Sequence, residues 1–203
     1  MTTAKTTATA TAMTTGITTA TTLFAGLGRA TARLRRDRRG VSAVEFAILL
    51  PVMVTLFLGS VEATQGIAAD RKVELTAHTL ADLSTQYTDI NDVAMANILA
   101  AGSAILAPYP ITSLQEVVSE IAINSQGVGT VVWSNTLGGT ALSVGATVSV
   151  PTALAVPNTY LVLAQVTYSY NPAYGYVMTG PITLSDQSFM RPRESDSIAR
   201  TTL

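Results

Sequence analysis

With 203 residues the chain has room for one domain of ordinary size plus appendages, and 12% charged against 48% hydrophobic residues excludes a uniformly soluble domain in favour of a membrane segment, a low-complexity stretch or both. The net charge of −1 hides an asymmetry: before Val41 stand seven basic residues and one acidic, a net +6, and after it five basic and twelve acidic, a net −7. Cysteine is absent, which excludes disulfides, thiolate metal sites, a cysteine nucleophile and a lipid anchor on cysteine.

From the amino terminus, Met1 to Thr22 is mostly Thr and Ala and carries too little apolar bulk to offset the entropy of ordering, so disorder is expected. Met13 offers a second initiator. Leu23 to Leu34 has the make-up of a short basic surface helix, and Arg35, Arg36, Arg38 and Arg39 close the leader, residues 1–40, with a cationic cluster. Nucleic-acid binding or a solvated basic face would also use such a cluster. Because a membrane helix begins next to it, the expectation is a topology signal that keeps the leader cytoplasmic, with no nucleic-acid partner.

Residues 41–62 form the next segment, in which Val41 to Val61 holds one charge, Glu45. About twenty apolar residues cross a bilayer as a helix. A cleaved secretory signal fits less well, since the run is long and no A-x-A site follows it. Beyond Glu62 the pattern turns amphipathic: Val73, Ala77, Leu80, Ser84 and Tyr87 keep helical spacing, with Asp70, Arg71, Glu74 and Asp82 on other faces. One helix to about Gln86 is predicted, then a second over Asp89 to Leu106, stopped by Pro108 and Pro110; together they make residues 63–107 a helical stalk.

In residues 108–203 the period becomes two. Val117, Ser119, Ile121 and Ile123 alternate with Glu116, Val118, Glu120 and Ala122, and further strands are expected over Val128–Trp133, Ala146–Val150, Leu161–Tyr170 and Ile182–Phe189. Turns are expected at residues 124–127, 137–139, 157–158 and 171–172. Helices followed by strands predict an α+β fold: an amino-terminal transmembrane helix continuing into an amphipathic helix, packed on a mainly antiparallel carboxy-terminal sheet.

The sequence Gly40-Val41-Ser42-Ala43-Val44-Glu45-Phe46 sets a glycine at the end of a basic leader and a glutamate five positions into an apolar helix. It resembles the processing site of type IV prepilins. With Phe46 to Pro51 and Gly59-Ser60-Val61-Glu62 it is similar to the TadE-like family of the tight-adherence pilus system, over Arg38 to about Ala69 and more weakly over Val166–Pro172 and Met190–Arg193. The resemblance implies a pilin-like fold and a single-pass protein of the bacterial inner membrane with a periplasmic carboxy-terminal domain. It implies cleavage between Gly40 and Val41 by a prepilin peptidase, and assembly with other pseudopilins and platform proteins through Glu45 and Phe46. Glycine lacks Cβ, which lets the backbone approach a protease. The amine freed on Val41 would meet the Glu45 of a neighbour, offsetting the cost of holding both charges near lipid; taken alone, Glu45 also reads as an ordinary interfacial carboxylate.

Glu62 reads either as a partner contact or as an ordinary interfacial carboxylate. His78, the single histidine, reads as structural, and Tyr168, Tyr170, Tyr174 and Tyr176 read as filling of a sheet face or as a stacking surface. An enzyme would need a nucleophile with its base, paired carboxylates, a metal cluster or a phosphate loop; the sequence offers none, so no catalysis, metal or cofactor is expected. The competing reading from another class is an unprocessed, membrane-tethered adhesin or binding protein.

Overall fold

The computed structural model describes residues 39–172, 175 and 179–201. The expected disorder before Gly40, the helix expected over Leu23–Leu34, the side chains of Arg35, Arg36, Arg38 and Arg39, and Tyr174 and Tyr176 lie outside the described residues. The chain divides into two compact units, Met1–Val54 and Thr55–Leu203. In chain order the elements are α1 (Arg39–Thr85), β1 (Asp89–Ile90), α2 (Asp92–Ile105), a 3-10 turn (Ile111–Ser113), β2 (Leu114–Ile123), β3 (Gly129–Leu137), β4 (Thr147–Val148), β5 (Tyr160–Tyr170), β6 (Ile182–Met190) and β7 (Ala199–Arg200).

The long helix ends one residue before the predicted limit. In its second half Val73, Ala77, Leu80 and Ser84 are buried as the spacing requires, whereas Tyr87 falls beyond the helix and is exposed. The second helix starts three residues later than expected, because Asp89 and Ile90 pair in parallel with Ala199 and Arg200. Asn91 then caps it, its Oδ1 accepting from the Ala94 amide at 2.8 Å. At the other end Lys72 of α1 donates Nζ to the Ile105 carbonyl at 2.9 Å, a cation where the helix has unsatisfied acceptors.

The five-stranded sheet has the order β4-β3-β2-β5-β6 and every pairing in it is antiparallel. This is the α+β arrangement the sequence predicts. One face carries Leu114, Val118, Val162, Ala164, Val166 and Tyr168 against the Ala69, Val73, Ala77 and Leu80 stripe of α1 and Met95, Ile98 and Leu99 of α2. The opposite face, with Ile121, Ile123, Val131, Leu161 and Leu163, is also buried, under Leu142, Val148, Val150 and Leu154. Both sides of the central strands are therefore covered, so Leu161 to Ala164 is an unbroken buried run and not an alternating one.

Register explains an oddity of β3. Val131 and Trp133 are two apart and should share a face, yet they join different cores. The pairing shifts between Glu120↔Trp133 and Ile121↔Val131, which leaves Val132 as an extra residue on β3 and reverses the side-chain phase there. Trp133 then donates Nε1 to the Ile198 carbonyl at 2.9 Å, while the Ile198 amide donates to Glu120 Oε1 at 2.6 Å. This double tether fixes the segment that enters β7.

Candidate functional site

In the first unit, the residues of the predicted processing site occupy the start of α1. Gly40 is in the helix and exposed, with nothing among the described residues within 4 Å of where a Cβ would stand. Val41, Glu45 and Phe46 are exposed as well. An extended backbone at glycine would lie close to a protease, whereas here Gly40 is helical.

Every residue of α1 from Val41 to Phe57 is exposed, although most are apolar. Among the described residues one helix, α1, is long and apolar enough to cross a membrane, and none of its most apolar window is buried. This fits a single-pass membrane protein. A soluble core helix of that composition would be covered by the rest of the fold.

Glu62, in the second unit, differs from Glu45 in its surroundings. It is fully buried, which places it inside the fold beside Tyr170. Burial pushes the Tyr170 phenol above its ordinary value, and the nearby Tyr109 and Glu62 add to that shift. Tyr109 packs edge-on against Tyr170, with ring centroids 5.9 Å apart, and its hydroxyl donates to the Gln65 carbonyl at 3.2 Å. Tyr168 and Tyr170 are both buried and so fill a sheet face. His78 is exposed, with Nδ1 3.1 Å from the Ser188 hydroxyl.

Two acids emerge that strand periodicity did not single out. Glu116 and Glu120 point toward the helix-covered face and are buried. Burial raises the Glu116 carboxyl from its ordinary 4.5 to about 7, opposed by the Ser103 hydroxyl, which reaches Oε2 at 3.5 Å; its Oε1 has no hydrogen-bond partner. Burial also raises Glu120, against the opposing pull of the Ile198 amide and Trp133. The signal available in the sequence was two acids at i and i+4 of a strand with an otherwise apolar face. Among the described residues no group of three or more His, Asp or Glu is placed to hold a metal.

No curated protein and no solved structure matches the chain. Residues 40–82, which hold Gly40, Glu45, Glu62 and the Val73, Ala77 and Leu80 positions of the α1 stripe, match the family model described as TadE-like protein, the family that the motif at Gly40 resembles.

Proposed function

We propose that the protein is a minor pseudopilin of a tight-adherence pilus, held in the bacterial inner membrane by α1 and cut between Gly40 and Val41 by a prepilin peptidase. The observation that carries this reading is the exposed start of α1: a glycine that no described residue crowds, then a carboxylate in an otherwise apolar, wholly exposed helical surface. A membrane anchor alone requires neither feature. An assembly helix needs both, a protease-accessible glycine and a charge that a neighbour's new amine can meet. Phe46 and the apolar residues after it supply the surface for lipid and for adjoining pseudopilins. The charge step from +6 to −7 supports a cytoplasmic leader and an outward sheet domain.

The test is mass spectrometry of the protein extracted from membranes of a piliated strain. The mature amino terminus should be Val41, and Gly40→Leu should retain the leader. A wild-type protein that keeps residues before Val41 would return the chain to the unprocessed, tethered adhesin or binding protein.

A further inference from the structure

The uncharged surface of α1 does not stop at Glu62. From Phe46 to Ala69, a run of 24 residues, Glu62 is the one charged residue, and it is buried. Ala63, Thr64, Ile67 and Ala68 are exposed, and the first exposed charge is Asp70. A helix of that length is about 36 Å long, whereas the hydrocarbon layer is about 30 Å thick. The surplus is about one helical turn. It falls at the level of Gln65, where Tyr109 fastens the loop between α2 and β2 to the helix.

That loop has the composition of an interfacial segment. Residues 106–115, Leu-Ala-Pro-Tyr-Pro-Ile-Thr-Ser-Leu-Gln, contain no charge. Pro108, Pro110 and Ile111 are exposed, the last at 53%, and Tyr109 is half-buried. An apolar body with a polar tip is what the boundary between lipid and water selects. The prolines have no amide hydrogen to leave unsatisfied on entering the headgroup layer.

We propose that this end of the sheet domain is a second membrane contact, in which Ile111 and the two prolines before it enter the headgroup layer of the leaflet from which α1 emerges. The contact rests on the reading of α1 as a membrane helix. It commits to lipid because the uncharged surface of α1 and the uncharged loop meet at Tyr109. A docked domain would be held at two points, and α1 with the domain packed on it would lose freedom to tilt in the bilayer. Gln126, in the β2–β3 turn, lies at the other end of β2, about 30 Å away along that strand.

Because the chain lacks cysteine, single cysteines introduced into the full chain can carry an environment-sensitive fluorophore. Phe57→Cys, Ile111→Cys and Gln126→Cys proteins would be reconstituted in phosphatidylcholine and phosphatidylglycerol vesicles with or without nitroxide lipids. The expected result is deep quenching at residue 57, a blue shift with quenching by the shallow nitroxide at residue 111, and neither at residue 126. Quenching at 57 with a water-like spectrum at 111 overturns the second contact and leaves the membrane helix intact. Loss of quenching at 57 overturns the membrane reading itself. A blue shift at 111 without lipid quenching, accompanied by energy transfer between labelled copies, assigns the loop to a second copy of the chain and also overturns the proposal. Ile111→Ser should release the domain, seen as faster tumbling of a spin label at residue 126.

Discussion

Gly102 of α2 lies directly over Glu116 of β2: a Cβ at residue 102 would stand 2.6 Å from Glu116 Oε1 and 2.8 Å from Leu80 Cδ2. The absence of a side chain lets α2 settle onto both the sheet and α1. Gly102→Ala gains about 1 kcal/mol of helix propensity, but crowding a closed core costs about 1–3 kcal/mol. Glu116 and Leu80 are both fully buried and have little room to move away. The expected outcome is a net loss on the order of 1 kcal/mol, read as a lower urea midpoint for the full chain in detergent. A higher midpoint would show that the contact is slack.

Glu116 also gives stability a pH dependence with a definite sign. Its folded value, about 7, lies above the ordinary 4.5, so the folded state holds a proton that the unfolded state gives up. The native state is then favoured below about pH 4.5, and that advantage is lost as pH rises toward and through 7. Glu120 shifts in the same direction. Water that follows the ionising carboxylate reduces the effect, leaving on the order of 2 kcal/mol for Glu116. Glu116→Gln should flatten the stability profile between pH 5 and 7 (roughly the window between ordinary and raised values) without removing the slope due to Glu120. An identical profile in the variant would mean that Glu116 is not the group responsible.

The Trp133 tether predicts a local effect far away in sequence. Trp133→Phe keeps most of the apolar contact but removes the donor to the Ile198 carbonyl, worth about 1 kcal/mol with the acceptor left unpaired. The neighbouring amides of Ala199 and Thr201 bond to the Thr88 and Ile90 carbonyls and should exchange faster with deuterium. Amides of β2 and β5 should be unchanged. Uniform acceleration across the sheet would mean that the substitution weakened the whole core instead.

Local patterns were legible and distant pairings were not. The stripe Val73, Ala77, Leu80 and Ser84 and the motif from Gly40 to Phe46 are set by neighbours along one helix, and the strands β2, β3, β5 and β6 show their period. Asp89 and Ile90 look like helix because their partners, Ala199 and Arg200, are more than a hundred residues on. Nothing local distinguishes a buried Glu120 from a solvated one, since its partner is the Ile198 amide. The bulge at Val132 and the cover over Ile121 and Leu163 likewise depend on which segments meet. Glu62 fits an interfacial carboxylate in the sequence, and its burial beside Tyr170 follows from where β5 ends.

The contrast between Glu45 and Glu62 permits a sharper test of assembly. Glu45 is exposed on α1, so Glu45→Ala leaves the folded domain unaltered and makes insertion of the helix easier, by up to about 3 kcal/mol at a bilayer centre and less this near the boundary. Loss of function in that variant could not be ascribed to failed insertion. The protein should be made, inserted and largely relieved of its leader, since the protease meets Gly40, yet fail to support surface attachment because the amine on a neighbour's Val41 lacks its carboxylate. Glu62→Ala should behave differently: it empties a buried site beside Tyr170, so the protein should lose stability and reach a lower level in the membrane. Immunoblotting for leader removal and abundance, beside an adhesion assay, separates the two. Normal attachment by Glu45→Ala would reduce Glu45 to a boundary charge, and the assembly mechanism would then rest on the cleavage at Gly40 alone.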